Sequence, residues 1–323
     1  MGNKVLITGG AGFIGSHLAE RLLTDGNYVT VIDNLSTGRT ENIAHLKTDK
    51  RFSFVHDTIF NYRKIKHLIS KCDIVYHLAA AVGVKYIIEN PLKSIQINVQ
   101  GTEIVLELAS LYNKKCFFAS TSEVYGKNDK PLLKEEDDSI IGPTHIYRWS
   151  YACTKALDEF MALSYHKENG LQVVIGRFFN TCGPRQTGKY GMVIPRFVQQ
   201  AISGEPMTIY GDGRQVRSFT YIDDTIDGMT GLMANEKANG EIFNVGSHEA
   251  ITILELAEKI KVLANSKSEI TFIPYDKVYI KGFEDMRYRV PDISKISALT
   301  GYHPKVRLDE MLRRIIQYHR ESH

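Results

Sequence analysis

The chain has 323 residues, of which 43% are hydrophobic and 24% charged, and its formal net charge is +3. These values are ordinary for a soluble globular protein with a large core, and the small, evenly mixed charge argues against nucleic acid or an anionic membrane as a partner. The four cysteines are widely spaced, with no C-x-x-C pair and no nearby histidine at ligand spacing; they are Cys72, Cys116, Cys153 and Cys182. They are typical of reduced thiols in a cytoplasmic protein and predict no metal site.

No targeting or membrane segment is expected. A predicted strand begins almost at the N-terminus, which leaves no room for a signal peptide. The longest apolar stretch, around Ile74–Ile88, contains His77 and Lys85 and is too short to span a bilayer.

The first predicted strand runs directly into a glycine-rich turn. Residues 4–15 read Lys-Val-Leu-Ile-Thr-Gly-Gly-Ala-Gly-Phe-Ile-Gly, in which Gly10, Gly12 and Gly15 match G-x-G-x-x-G and Gly9, Gly12 and Gly15 match G-x-x-G-x-x-G. A strand followed by such a turn and a helix start brings backbone close to a pyrophosphate and offers it helix N–H groups. The sequence therefore predicts a dinucleotide site.

The second apolar run supports this prediction. Tyr28–Ile32 ends at Asp33, about 20 residues further on, where a carboxylate accepts hydrogen bonds from the adenosine ribose hydroxyls. The same carboxylate would repel a ribose phosphate, so we expect NAD rather than NADP, with Arg39 as the residue that would favour NADP.

Short β-rich runs alternate with stretches of helical periodicity through the first half of the chain. The pattern predicts a doubly wound, Rossmann-like α/β domain with a parallel sheet over residues 1–179. The predicted strands are Val5–Thr8, Val29–Ile32, Phe52–His56, Ile74–Leu78, Cys116–Ala119 and Gln172–Phe178.

The pattern changes from about Asn180, and residues 180–323 are expected to form mainly a smaller α/β substrate lobe, with chain crossings back to the first sheet left open. Three prolines punctuate its start, and Ile209–Tyr221 predicts a hairpin that turns at Asp212-Gly213. A strand at Glu241–Val245 and an amphipathic helix at Thr252–Ala264 are assigned to the same lobe.

A group of polar residues points to catalysis. Thr121, Ser122 and Glu123 follow the fifth predicted strand, at the edge where open α/β sheets bind ligands. Tyr151 and Lys155 are four residues apart, on one face of a predicted helix. A neighbouring ammonium and a cationic nicotinamide ring would lower the pKa of the tyrosine, so we expect Tyr151 as the base, Lys155 as the cation and Thr121 as the residue that orients the substrate hydroxyl.

Taken together, these motifs resemble the extended short-chain dehydrogenases/reductases, the NAD-dependent nucleotide-sugar epimerases, dehydratases and decarboxylases. The resemblance extends over essentially the whole chain. The segments that carry it are Thr8–Gly15, Asp33–Gly38, His77–Ala80, Asn98–Thr102, Ser120–Gly126, Tyr151–Lys155, Arg177–Arg185 and Gln215–Phe219.

The resemblance implies a cytoplasmic enzyme that acts on a UDP-sugar substrate and forms a homodimer. It implies that Lys155 holds the nicotinamide ribose and that Asp57 and Thr58 flank the adenine. Further cofactor contacts are expected from Gly9, Gly12, Phe13, Ile14, Gly15, Asp33, Asn34, Leu78, Ala79, Ala80, Asn98 and Tyr151, and nucleotide-diphosphate contacts from Asn180, Arg185, Arg217 and Arg289, with Arg287 as an alternative to Arg289.

The residue at position 122 discriminates among reactions. Relatives that eliminate water across C5 and C6 have Thr-Asp-Glu here, and the chain has Thr121-Ser122-Glu123, which keeps the candidate C5 base and lacks the C6 acid. A general acid contributes about 10² to 10⁴ in rate, so efficient dehydration is disfavoured. Ser-Glu resembles the UDP-glucuronate decarboxylases.

Three reactions therefore stay open after C4 oxidation. Two of them are decarboxylation and simple C4 epimerisation. The third is hydride return to C6 of a 5,6-ene sugar, as in pseudaminic acid synthesis, which the segments Arg148–Tyr151 and Gly183–Val193 resemble. In each case we expect transient C4 oxidation, and Glu123 carries the proton wherever C5 reacts. An NAD-binding regulatory protein without chemistry is the alternative from another class, and the intact Thr121, Tyr151 and Lys155 argue against it.

Overall fold

The computed structural model describes residues 2–188, 192–278 and 285–321. Its strands in chain order are β1 (Lys4–Thr8), β2 (Tyr28–Asp33), β3 (Phe52–His56), β4 (Ile74–His77), β5 (Lys115–Thr121), β6 (Val173–Phe178), β7 (Thr181–Cys182), β8 (Met207–Tyr210), β9 (Val216–Ser218), β10 (Thr220–Tyr221), β11 (Glu241–Val245), β12 (Ala250–Thr252), β13 (Ile270–Ile273) and β14 (Tyr288–Arg289). Its α-helices are α1 (Phe13–Thr24), α2 (Tyr62–Lys71), α3 (Val84–Glu89), α4 (Pro91–Leu111), α5 (Arg148–Asn169), α6 (Val193–Ser203), α7 (Ile222–Met233), α8 (Ile253–Leu263), α9 (Tyr275–Val278), α10 (Ser294–Thr300) and α11 (Leu308–Glu321).

Seven strands form one parallel sheet in the order β11-β6-β5-β4-β1-β2-β3. In chain order, strands β1 to β6 match the six predicted strands to within two residues at each end, so these predictions are confirmed. Because the chain leaves β1 toward β2 on one side and returns to β4 on the other, a crevice opens at the carboxyl ends of β1 and β4. The predicted α/β doubly wound fold is confirmed, and its switch point lies where the glycine turn follows β1.

Each face of the sheet is covered by helices. Along β1, Val5 and Ile7 face one hydrophobic cluster with α1, and Leu6 faces the other with α2 and α4. This alternation follows from the two-residue period of a strand. The two faces together form the core, and helix α7 returns from the second half of the chain to pack on α1.

Two expectations for the second half are wrong. Glu241–Val245, assigned to the substrate lobe, is the edge strand β11 of the large sheet, where Phe243 pairs with Gly176 of β6. The hairpin at Ile209–Tyr221 does not form: β8 pairs with β13, whereas β9 pairs with β12 and β14. Gly211 and Gly213 do turn the chain, with φ of +77° and +74°, but the segments on either side join different sheets.

The predicted helix at Thr252–Ala264 is confirmed as α8, with Thr252 and Glu255 forming a capping box at its start. Among the described residues, no helix has the length and apolar character needed to cross a bilayer.

The pairing of β9 with β14 positions the site. It is parallel, and its register places Arg289 directly beside Arg217. Directly paired residues point to the same face of a sheet, so both arginines face the same way.

Candidate active site

A cleft of about 640 Å³ runs from the glycine turn, past the carboxyl ends of β1, β4 and β5, to β9 and β14. It brings together most of the predicted site residues. Those that line it are Gly9, Gly12, Phe13, Ile14, Gly15, Asp33, Asn34, Asp57, Thr58, Leu78, Ala79, Ala80, Thr121, Ser122, Glu123, Tyr151, Asn180, Arg185, Arg217 and Arg289. Two further predicted residues, Asn98 and Lys155, are buried and do not line the cleft.

The glycine turn leaves the start of α1 open. Helix α1 begins at Phe13, and its N-cap residue Gly12 makes no side-chain capping bond. Gly9 has a φ of +72°, and a Cβ there would lie 2.8 Å from the backbone nitrogen of Ala79. The turn therefore packs closely against the end of β4 and presents the first helix N–H groups to the cleft, which suits a pyrophosphate.

The adenosine half of the cleft is organised around Asp33. Its carboxylate accepts hydrogen bonds from the backbone nitrogens of Ala11 (3.0 Å) and Leu35 (2.8 Å). Burial raises the pKa of Asp33, and these two bonds lower it in part. Each carboxylate oxygen accepts more than one hydrogen bond, so Asp33 is fixed in place and still able to accept from ribose hydroxyls. The residues present thus fit a dinucleotide.

Asn98 supports the cleft rather than lining it. It is 1% exposed, and its Oδ1 accepts a hydrogen bond from the backbone nitrogen of Ala81 (2.8 Å). The residue therefore holds the segment after β4 that forms the cleft wall.

Thr121 and Tyr151 meet in the middle of the cleft. The Thr121 hydroxyl accepts a hydrogen bond from the backbone nitrogen of Glu123 (3.2 Å). Burial raises the pKa of Tyr151, the Glu123 carboxylate raises it further, and the neighbouring Thr121 hydroxyl lowers it in part. The chain's own groups thus leave Tyr151 protonated, and additional positive charge is needed before it acts as a base.

Lys155 follows Tyr151 by one helical turn on α5, with its side chain 2% exposed and its Nζ 3.5 Å from Asp158 Oδ2. The same Nζ lies 3.9 Å from the centre of the Phe118 ring. Burial lowers the pKa of Lys155, whereas Asp158 raises it. Asp158 was not predicted from the sequence, although its spacing of three from Lys155 on one helix is a signal that could have found it.

Glu123 is the most strongly held carboxylate of the site. Its side chain lies between Arg289, whose Nη1 donates to Oε1, and Arg148, whose Nη1 lies 2.9 Å from Oε2. Burial raises the pKa of Glu123, and the two guanidiniums more than offset this and lower it to about 2. Asn180 accepts a hydrogen bond from Nη2 of Arg289 (2.7 Å), so Asn180 positions an arginine in this structure.

A second carboxylate, Asp285, continues this arrangement. It lies 3.2 Å from Arg148 Nη2 and 3.0 Å from Arg217 Nη2. Burial lowers the pKa of Arg217 to about 10 although Asp285 raises it. We call the row Arg289, Glu123, Arg148, Asp285 and Arg217 the charged row; its positive and negative groups alternate.

The sequence analysis missed two members of the charged row. Arg148 is three residues before Tyr151 on α5, a spacing that places it near the tyrosine face, so a signal was present. Asp285 gave no signal, because only the folded chain brings it to Arg148 and Arg217.

Arg185 lies apart from the other predicted substrate arginines. Its Nη2 donates to Glu20 Oε2 (2.7 Å) and its Nη1 to Ser16 Oγ (3.4 Å), both on α1. The φ of Arg185 is +68°, which turns the side chain toward the cofactor helix. Arg185 therefore lies against α1, the helix that follows the glycine turn, and is bound there rather than to the charged row.

A parallel sheet with a glycine turn at its switch point, and a threonine, tyrosine and lysine set beside it, define an extended short-chain dehydrogenase/reductase. A family profile described as GDP-mannose 4,6 dehydratase matches residues 6–315, and the chain belongs to this family. Within the described residues, no cluster of three or more potential metal ligands occurs.

Individual relatives narrow the class further. The chain is 42% identical over 322 residues to a UDP-N-acetyl-alpha-D-glucosaminuronate decarboxylase of Bacillus cytotoxicus, covering 99% of each. It is 38% identical to UDP-glucuronic acid decarboxylase 1 of Danio rerio over 98% of this chain and 72% of the relative. A UDP-glucuronic acid 4-epimerase of Bacillus cereus, solved with UDP-glucuronic acid and NAD, superposes with a TM-score of 0.89 at 32% identity and covers 99% of this chain and 100% of the epimerase. These relatives confirm the resemblance and the enzyme class expected from the sequence.

Proposed function

We propose that the protein is an NAD-dependent decarboxylase of a UDP-hexuronate, with UDP-N-acetylglucosaminuronate as the first substrate to test. NAD is the cofactor and a UDP-sugar the substrate class, because relatives and solved neighbours along the whole chain use them. Decarboxylation is the finer proposal. It rests on the residues around Glu123.

The charged row is the observation that carries the proposal. It contains three guanidiniums and two carboxylates, so it has one positive charge in excess. A buried charge is costly without a partner, and arginine binds carboxylates through two parallel hydrogen bonds. Arg289 ends the row next to Glu123 and Tyr151, on the side of the reacting sugar, where a C6 carboxylate supplies the missing negative charge.

The state of Glu123 argues against dehydration. A C6 hydroxyl leaves with the help of an acid, and Ser122 is not one at neutral pH. Glu123 has a pKa of about 2 in this setting and is ionised at neutral pH. Decarboxylation needs no acid at C6, because the bond that breaks is C5–C6 and carbon dioxide is the leaving group.

The chain's residues have defined tasks in this reaction. Tyr151 takes the C4 hydroxyl proton, and Thr121 orients that hydroxyl. Lys155, one helical turn after Tyr151 on α5, supplies positive charge. The chemistry that a bound NAD would supply is reversible hydride transfer at C4. The 4-keto group accepts the electron pair of the breaking C5–C6 bond, and C5 then takes one proton that comes from solvent. Glu123 is the residue placed to relay this proton, because its pKa rises once Arg289 turns from Glu123 to the substrate carboxylate. The sum is one uronate and one proton consumed, with one pentose and one carbon dioxide formed.

Mass spectrometry of the products tests the proposal. Purified protein with NAD is incubated with UDP-N-acetylglucosaminuronate, UDP-glucuronate and UDP-N-acetylglucosamine in deuterated water. We expect a product that is lighter by carbon dioxide and carries one solvent deuterium from a uronate, and no reaction with the uncharged sugar. Tyr151→Phe is the matched control, because it removes the base and keeps the ring.

The alternatives give different products. An isomer of unchanged mass with inverted C4 indicates epimerisation, and a uronate that loses no carbon dioxide contradicts decarboxylation. A reaction confined to a 5,6-ene sugar indicates hydride return to C6.

A further inference from the structure

We propose that Arg148 is a positioning residue that holds the Glu123 carboxylate in place while Arg289 exchanges Glu123 for the carboxylate of the substrate. The inference rests on the proposed function, because the exchange needs a substrate carboxylate. It assigns different tasks to the two arginines that contact Glu123.

The two arginines differ in how firmly they are held. Arg148 is the first residue of α5, and its side chain is 4% exposed. Its Nη1 lies 2.9 Å from Glu123, its Nη2 donates to both Glu123 and Asp285, and the guanidinium lies 5.3 Å from the centre of the Trp149 ring. Arg148 is therefore held by two carboxylates at once.

Arg289 is held less firmly. Its side chain is 15% exposed, it lines the cleft, and its Nε is buried without a hydrogen-bond partner among the described residues. Its other contact in the site is the neutral amide of Asn180. Of the two arginines, Arg289 is the one that can turn to an incoming anion with little loss.

Glu123 needs a cation that stays. If Arg289 leaves Glu123 for the substrate, the buried carboxylate keeps a counter-ion only through Arg148. Asp285 in turn prevents Arg148 from following, since it is a second carboxylate bound to the same guanidinium, through Nη2. A lysine in place of Arg148 would keep the positive charge but present a single ammonium, which does not contact Glu123 and Asp285 together as a guanidinium does.

A double-mutant cycle tests the inference. Arg148→Lys and Arg148→Gln are made in the wild-type chain and in Glu123→Gln, and pentose formation is followed for hours so that slow variants are quantified. We expect kcat to fall roughly tenfold or more in the wild-type background, since a positioned proton carrier contributes about 10² to 10⁴. KM should change little. In the Glu123→Gln background the same substitutions should have almost no effect on kcat, because the effects of substitutions at coupled residues do not add.

The pH profile gives a second readout. The apparent pKa that disappears in Glu123→Gln should rise by about one unit or more in Arg148→Gln, because an adjacent cation lowers a carboxyl pKa by about 1 to 3 units. Compared with Arg148→Gln, Arg148→Lys should return the apparent pKa most of the way to its wild-type value, but it should recover only part of the wild-type kcat. Arg314→Gln, an arginine loss on α11 away from the cleft, is the matched control and should leave both unchanged.

Stability is measured for each variant by its melting temperature and its NAD content. If Arg148→Gln does not fold, Asp285→Asn is used instead, because it keeps Arg148 and removes one of its two carboxylate partners. Asp285→Asn should also lower kcat. In the double variant with Arg148→Lys, the two losses of kcat should not add. Equal losses in both backgrounds, or a raised KM with unchanged kcat, would overturn the positioning role. A wild-type protein that releases no carbon dioxide from any uronate instead overturns the proposed function, and this inference with it.

Discussion

Gly12 and Gly15 give a matched test of the dinucleotide turn, because the structure predicts different outcomes for the same substitution. A Cβ at Gly15 would lie 2.5 Å from the Gly9 carbonyl oxygen and 2.6 Å from Gly10 Cα, and both are backbone atoms that cannot move alone. A Cβ at Gly12 approaches the Gly9 oxygen at 3.1 Å. Gly15→Ala should therefore strain the fold, and Gly12→Ala should disturb mainly the ligand that approaches the start of α1.

The expected sizes follow from these contacts. Overpacking costs about 1–3 kcal/mol, and 1 kcal/mol shifts Tm by about 2–4 °C in a domain of this order of size, so Gly15→Ala should melt about 2–12 °C lower without ligand. At 100 times Kd, NAD stabilises the wild type by about 2.7 kcal/mol, a shift of about 5–10 °C. A hundredfold weaker Kd in Gly12→Ala would reduce that shift to about 1 °C.

Thermal melting with and without NAD, followed by circular dichroism, measures both effects. Isothermal titration with NAD gives the affinities independently. A Gly12→Ala protein with the full NAD-dependent shift would refute the placement of the pyrophosphate at the start of α1. A Gly15→Ala protein with wild-type stability would refute the packing argument.

Three further predictions address the cofactor, the proton carrier and the assembly. Asp33→Ser should lower the NADP dissociation constant relative to that of NAD, measured by titration, because it removes the charge that repels a ribose phosphate. A wild-type preference for NADP would contradict the cofactor assignment. Glu123→Gln should still oxidise C4, seen as nicotinamide absorbance, but incorporate solvent deuterium at C5 about 10² to 10⁴ times more slowly; full incorporation would remove Glu123 from proton transfer. The expected homodimer is tested at the exposed Phe160 on α5, which is 70% exposed and lies near the 46% exposed Leu157: Phe160→Asp should shift the sedimentation coefficient to that of a monomer, and a wild-type protein that sediments as a monomer contradicts the dimer.

The sequence predicted the first half of the fold because its signals are local. The apolar run of Val5, Leu6 and Ile7 and the glycine turn that follows it are signals carried by residues next to one another in the chain. The cofactor half of the cleft could be predicted for the same reason, since Gly9–Gly15 and Asp33 belong to consecutive elements of one βαβ unit. Tyr151 and Lys155 are similarly local, being one helical turn apart.

The substrate half could not be predicted in the same way. The strand Glu241–Val245 has no local feature that distinguishes an edge strand of the large sheet from a strand of a separate lobe. The pair Asp212-Gly213 indicates a turn, but turn chemistry does not say whether the flanking strands pair with each other. The charged row depends on residues as far apart as Glu123 and Arg289, which only the tertiary fold brings together.

The position of Arg289 depends on both halves of the chain. Strand β14 is held on one side by β9, through the hydrogen bond from the Val216 nitrogen to the Arg287 oxygen (2.9 Å). On the other side, Leu133 donates to the Val290 oxygen (2.9 Å) and accepts from the Asp292 nitrogen (2.7 Å).

Asn244 ties this second support to the large sheet. It lies on β11, is fully buried, and donates from Nδ2 to the Leu133 oxygen (2.9 Å) and to the Asp292 oxygen (3.2 Å). A slip of one residue in β14 would turn Arg289 to the opposite face and away from Glu123. The edge strand that was expected in the substrate lobe therefore helps to fix the register on which the charged row depends, so a substitution at Asn244 should affect the chemistry of Glu123 without touching the cleft.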